Sequence, residues 1–217
     1  MPIAPERILY EDDSLLAVNK LSGELVVRGK GRVDKLPLLD FLKKDRSGLK
    51  ALHRLDFETS GVVLFAKTKE VEEQILSSKF RGWRKTYRTL VMGRILRENG
   101  VIRIPLPARG KGTVEATTRY HVLERFAHSS YVEAEIETGR YHQIRRHFAE
   151  MRHPLVLDTV YGHKKFNSLF TQEFRLREFF LHAFSLCLPH PVTGKEFCIE
   201  APLPRPFQQV LKRLRSL

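Results

Sequence analysis

Asp56 is the side chain in this sequence best placed to do chemistry. It stands in His53-Arg54-Leu55-Asp56-Phe57-Glu58-Thr59-Ser60-Gly61, directly before Val62-Val63-Leu64-Phe65-Ala66. The second run is short, apolar and rich in β-branched and aromatic residues, the pattern of a buried strand. Thr59-Ser60-Gly61 is turn chemistry. A carboxylate in a tight connection at the mouth of a core strand is held rigidly and still reaches a ligand. It can serve as a nucleophile or a general base. Aspartate before a turn is also an ordinary helix N-cap or Asx-turn residue, and spacing alone leaves that reading open. A kinase catalytic loop is excluded, because Leu55 interrupts His-Arg-Asp and neither a Gly-rich phosphate loop nor Asp-Phe-Gly accompanies it.

Two further segments carry chemically capable residues. Lys79 to Arg97 holds Lys79, Arg81, Arg84, Lys85, Arg88, Arg94 and Arg97 without an acid, interleaved with Phe80, Trp83 and Tyr87. Phosphate contacts beside stacking surfaces are what an RNA site needs. Thr138-Gly139-Arg140 then turns the chain into Tyr141-His142-Gln143-Ile144-Arg145-Arg146-His147-Phe148-Ala149-Glu150-Met151. His142 and His147 are five apart, about 140° on a helix, whereas helical zinc pairs sit four apart. No metal is expected there; hydrogen bonds to backbone or RNA suit them better. Arg109-Gly110-Lys111-Gly112-Thr113 fails as a phosphate loop, since glycine follows the lysine and Pro105 fills the upstream glycine position. Gly29-Lys30-Gly31 is a flexible loop, too little for a dinucleotide site.

Composition bounds the function classes. With 217 residues and 42% hydrophobic content the chain can bury a substantial core. Its 38 basic and 25 acidic residues leave a formal net charge of +13. That excess suggests a polyanionic partner, nucleic acid before membrane. No apolar run could span a bilayer, and the first residues lack a signal-peptide core, so a cytoplasmic protein without a membrane partner is expected. Cys187 and Cys198, eleven apart, form no zinc ribbon and no disulfide framework; buried thiols are expected.

The elements that must position these residues follow from periodicity. Ile8 to Lys20 reads as strand, turn at Asp12-Asp13, strand. Leu36 to Lys44 reads as a short helix, and Lys69 to Phe80 as a helix with Val71, Ile75 and Leu76 on its apolar face. Lys85 to Met92 reads as a strand with Tyr87, Thr89 and Val91 on one face. Ala116 to Glu124 and Ser130 to Ile136 read as paired strands. Ile144, Phe148 and Met151 mark one face of a helix that His153-Pro154 stops. Leu181 to Leu188 and Lys195 to Ile199 form a hairpin-like unit, and Phe207, Val210, Leu211 and Leu214 a final amphipathic helix. Without repeats or linkers the chain reads as one α+β domain.

His53-Arg54-Leu55-Asp56-x-x-Thr59-Ser60-Gly61 resembles the signature of the RluA-type pseudouridine synthases, all seven specified positions matching. Lys85-Thr86-Tyr87, Gly139-Arg140-x-His142-Gln143-Ile144-Arg145-x-His147, His153-Pro154, Asp158, Tyr161-Gly162 and Ala201-Pro202-Leu203-Pro204 extend the resemblance. Asn19-Lys20-Leu21-Ser22-Gly23 departs from the family's Asn-Lys-Pro-x-Gly by a leucine that loosens the turn. The resemblance implies a single catalytic domain over residues 1–217, a large mixed, mostly antiparallel sheet with flanking helices. It implies no preceding S4-type RNA-binding module, since seven residues precede Ile8. The reaction isomerises uridine in RNA to pseudouridine by breaking and remaking a glycosidic bond. It needs no cofactor, and it requires the base to be flipped into a pocket.

By the same resemblance Asp56 is the catalytic carboxylate, Arg145 its guanidinium partner and Tyr87 a ring stacked on uracil. Arg54 would be the wedge filling the vacated stack, and Ile144 an apolar floor. His53, Arg84, Lys85, Arg88, Arg140, His142, Gln143 and Arg146 complete the expected substrate contacts, with no metal. A monomer acting on RNA is expected. Gln143 to His147, with Asp158, Tyr161-Gly162 and Asn167, is similar to the short tRNA-modifying branch, so tRNA is the expected substrate and ribosomal RNA the alternative. Two competing classes are a non-catalytic RNA-binding domain, which leaves Asp56 unused, and an RNA hydrolase using His142 and His147. Digesting treated RNA and looking for pseudouridine separates all three.

Overall fold

The computed structural model describes residues 3–29, 35–108, 110–176 and 178–217. The expected loop at Lys30-Gly31 and the Arg109 end of the 109–113 loop lie outside them. In chain order the strands and helices of the first part are β1 Ile8–Glu11, β2 Leu15–Lys20, α1 Leu38–Leu42, β3 Lys50–Ala51, β4 Ser60–Ala66 and α2 Lys69–Ser77. There follow β5 Arg84–Met92, β6 Asn99–Ile102, β7 Leu106–Pro107, β8 Thr113–Val114, β9 Thr118–Arg125, β10 Ser129–Ile136, α3 Gln143–Glu150 and α4 Lys164–Phe174. The chain closes with β11 Leu181–Pro189, β12 Glu196–Glu200 and α5 Arg205–Leu214. These residues fold as two compact units, one of residues 1–84 with 183–202 and one of residues 85–182 with 203–217.

The first unit is built on β4, all seven residues of which are buried. β4 lies inside the strand order β1-β2-β4-β11, with β12 on β11, so that strands pair with both of its edges. β2 runs antiparallel to β4 from Leu15 opposite Ala66 to Lys20 opposite Gly61. Ser60 and Gly61 therefore belong to the strand, where the sequence suggested a turn. Gly61 is required by close approach: at φ +114 a Cβ would sit 2.1 Å from the Ala183 carbonyl oxygen. α2 is capped by Thr68, whose hydroxyl accepts from the Val71 N–H. Its buried face is Val71 and Ile75. Leu76, expected there too, lies a further ~100° round the helix and is 49% exposed. α2 also stops short of Phe80, because Lys79 and Phe80 take left-handed backbone conformations.

Cys187 and Cys198 correct another expectation. The β11–β12 register puts them directly opposite each other, and they are joined by a disulfide. Cys198 is exposed, not buried. The hairpin register, which spacing alone did not supply, creates the pair.

The second unit carries the strand order β5-β10-β9-β6. β10 pairs along its whole length with β5 and from Ser130 to Ile136, across a register shift, with β9; Val132, Ala134 and Ile136 are buried as their alternation predicts. The amphipathic α5 buries Phe207, Val210 and Leu211. The Phe207 ring stacks on Phe180 at 4.0 Å. α3 ends at Glu150, before Met151 and ahead of His153-Pro154. Arg152 adopts a left-handed conformation, and the His153 N–H returns to the Phe148 carbonyl, a Schellman-type stop. The helix α4 and the short strands β3, β6, β7 and β8 carry too little periodicity to be read from sequence.

Candidate active site

Asp56 lies in the connection from β3 to β4, half-buried, in a segment no helix follows. The N-cap alternative is thereby removed. The Thr59 N–H closes the turn on the Asp56 carbonyl at 3.1 Å. His53, three residues earlier, is half-buried, and its Nε2 accepts the Leu64 N–H at 3.1 Å. An accepting Nε2 carries no proton, so this imidazole extends the β4 ladder by one rung just past β3. Trp83 packs edge-on against it at 5.8 Å. Arg54 is exposed.

Beneath the loop sits a residue whose part the sequence alone does not reveal. Lys20, at the end of β2, is fully buried. Its Nζ donates to the carbonyls of Thr59 at 2.6 Å and of Leu21 and Phe57 at 3.0 Å. Three N–H donors meeting three carbonyls satisfy an ammonium completely. Two of those carbonyls flank Glu58 in the loop that carries Asp56, so one buried cation pins the turn from below. Burial pushes its pKa down to about 8, against the pull of the Glu24, Asp56 and Glu58 carboxylates. A lone lysine closing an apolar strand was the available signal. The Thr59 hydroxyl oxygen is buried and has no hydrogen-bond partner among the described residues.

The basic strip looks different once folded. Arg84 pairs with Glu196 at 2.6 Å and Arg88 with Glu133 at 3.3 Å. The acids absent from residues 79–97 are supplied by other strands. Trp83 and Tyr87 are 3% and 8% exposed, and Trp83 is part of the first unit's core, edge-on to Phe80 at 5.0 Å. Trp83 is thus packing, not a stacking surface as the sequence suggested. Burial lowers the Lys85 pKa.

In the second unit, residues 138–162 form one hydrogen-bonded cluster. Arg145 is buried, and its guanidinium grips Asp158 with both arms, Nε to Oδ2 at 2.7 Å and Nη2 to Oδ1 at 2.8 Å. The Phe179 and Tyr161 rings lie against it at 4.8 and 5.3 Å. Burial would raise the Asp158 pKa, but the Arg145 pair and the N–H groups of Tyr161 and Val160 outweigh it and hold the carboxyl below its ordinary value. Nη1 of Arg145 lies 3.1 Å from His142 Nε2. Since arginine can only donate, His142 accepts there and presents Nδ1–H to the Tyr161 hydroxyl at 3.2 Å. Arg146 Nε donates to that same hydroxyl at 2.9 Å.

Gln143, expected among the substrate contacts, has its whole amide engaged within the protein. Its Oε1 accepts from the Thr138 hydroxyl and the Arg140 N–H, and its Nε2 donates to Thr117 and Thr118. Its work is bracing the loop that carries Arg140, which is exposed. Ile144 is buried in α3. His147 has both ring nitrogens bound, to the Thr118 hydroxyl and the Ile104 carbonyl, and burial keeps it neutral by lowering its pKa. Asp158 and Tyr161, to which the resemblance gives no role, are both members of this cluster.

This fold and these motifs define a class. A family model described as RNA pseudouridylate synthase matches residues 14–150. The chain belongs to that family, and it is an RNA-modifying isomerase. Its relatives include the ribosomal large subunit pseudouridine synthase C of Vibrio cholerae serotype O1, 36% identical over 220 residues that cover 96% of this chain and 69% of that one. The protein of the same name from Escherichia coli K12 is 35% identical, covering 96% and 70%. Among solved structures, human RNA pseudouridylate synthase domain containing 4 aligns with TM-score 0.80 at 27% identity, covering 96% of this chain and 92% of its own. Human RNA pseudouridylate synthase domain containing 1 aligns with TM-score 0.71 at 25% identity, covering 100% and 98%. The α+β class with a mostly antiparallel sheet and flanking helices is that of the pseudouridine synthases.

Proposed function

We propose that this protein isomerises a uridine of large-subunit ribosomal RNA to pseudouridine, with Asp56 as the catalytic carboxylate. The observation that carries the substrate is the similarity, over 96% of the chain, to enzymes named for that RNA. Transfer RNA, expected from the 143–167 segment, becomes the alternative. Work on ribosomal RNA also accords with the cytoplasmic location expected from the sequence.

The chemistry rests on Asp56. Its loop is pinned by Lys20 and the His53 rung, which supports a carboxylate held still for reaction. Ionised, it attacks C1′ of the ribose, the C1′–O bond breaking again as C5 bonds, or it removes the C2′ proton and later returns it. In either route the N1–C1′ bond breaks, the uracil turns and rejoins through C5, and C5 gives up its proton as N1 takes one. The uridine is flipped out of its stack to be reached, with Arg54 as wedge and Tyr87 against the uracil ring. Arg145 supplies positive charge for the carboxylate, and its grip by Asp158 supports a fixed orientation. The activity is proposed for residues 1–217 as one catalytic domain. Arg140 and Arg146 contribute phosphate contacts.

The test has two parts. Purified Asp56→Ala should form no pseudouridine while still binding RNA, and turnover by that variant would overturn the catalytic role. Pseudouridines mapped in total RNA from cells with and without the gene should differ at one ribosomal position. A change confined to tRNA would overturn the substrate and leave the chemistry standing.

A further inference from the structure

Among the described residues Tyr141 is the one Phe, Tyr or Trp that is exposed, with 62% of its surface open to solvent. An exposed ring ordinarily wanders, but this one is backed. It stacks on the His142 ring at 3.8 Å, the planes only 22° apart. His142 is fixed in turn: its backbone is left-handed, and its two ring nitrogens face Arg145 and the Tyr161 hydroxyl. Behind them Arg145 is clamped by Asp158 in a buried ion pair. The support beneath the stack is thus rigid, and most of the Tyr141 surface is open to solvent. Cations accompany the ring. The Arg146 guanidinium lies 5.7 Å from the Tyr141 ring centroid, and Arg140, next in sequence, is exposed.

A fixed, solvent-exposed aromatic ring with one arginine beside it and another adjoining it in sequence has the chemistry that receives an unstacked nucleobase and its phosphate. We propose that Tyr141 is a stacking platform for a nucleobase of the RNA other than the uridine that reacts. The proposal deepens the reading of residues 140–146 as an RNA-contacting segment, and rests on it. The platform adds affinity through a base's π-face, with no demand on base identity. Arg140 and Arg146 hold the adjoining phosphates.

The test compares two labelled probes by fluorescence anisotropy, a single-stranded oligouridylate and an abasic ribose-phosphate chain of the same length. Wild-type protein should bind the oligouridylate more tightly. Tyr141→Ala should weaken oligouridylate binding about 5- to 150-fold, the span of one base–aromatic stack, and leave abasic binding unchanged. Tyr141→Phe should keep most of the wild-type affinity. Equal weakening of both probes, or no weakening of either, overturns the proposal. So does a wild-type protein that does not distinguish them. Unchanged circular dichroism and melting of Tyr141→Ala exclude a folding defect. Turnover is not read, so failure of the Asp56 reaction leaves this result interpretable, and the converse holds.

Discussion

Replacing Asp158 with asparagine should destabilise the protein by about 3–5 kcal/mol, the cost of breaking a buried, bidentate ion pair from one side. Asp158 Oδ1 accepts from the N–H groups of Val160 and Tyr161 and from Arg145 Nη2, while Oδ2 accepts from Arg145 Nε. Asparagine can keep Oδ1 and the turn, but its NH2 then faces the Arg145 Nε–H, donor against donor. The guanidinium stays buried and loses the bidentate carboxylate that grips it. For a chain of this length each kcal/mol moves the melting temperature by ~2–4 °C, so a fall of ~6–20 °C is expected.

Urea unfolding at pH 7, followed by far-ultraviolet circular dichroism, measures this directly. Arg145→Met should cost a similar amount, and the double variant less than the sum of the two. The pH dependence has a definite sign. Because the folded carboxyl titrates below its unfolded value, its contribution is present at neutral pH. It is lost as pH falls through the ordinary carboxylate range toward the folded value. The gap between wild type and Asp158→Asn should therefore close on acidification. A loss below about 1 kcal/mol, the scale of an exposed ion pair, would refute the reasoning.

Two further outcomes test the first unit. Lys20 titrates at about 8 in the fold against 10.5 ordinarily, so the folded protein holds fewer protons between those values and stability should rise with pH across them. The rise is worth about 3 kcal/mol and should be missing in Lys20→Met; equal slopes from pH 7.5 to 10.5 in the two proteins would refute it. Gly61→Ala forces a methyl against the Ala183 carbonyl at a backbone angle that L-residues avoid, so a loss on the order of 3–5 kcal/mol is expected. A melting temperature within a few degrees of wild type would show that β11 can yield.

What the sequence determined by itself was local. The apolar run 62–66 makes a buried strand wherever it is placed, and the spacing of Phe207, Val210 and Leu211 puts them on one helical face. The motif around Asp56 was legible as a string of seven side chains, because the loop that holds a carboxylate is built from near neighbours. Tertiary structure decided everything that depends on partners far along the chain. Arg145 and Asp158 are thirteen residues apart and meet across a turn. Arg84 and Arg88 looked like uncompensated charge until strands β12 and β10 brought Glu196 and Glu133 to them. Trp83 passed for a stacking surface until packing enclosed it, and two separate thiols became a cross-strand pair only through the β11–β12 register. Periodicity carries which face of an element is apolar. It carries nothing about which charge or thiol stands opposite, since that is set by strand register and loop path, to which the hydrophobic pattern of a single element is blind.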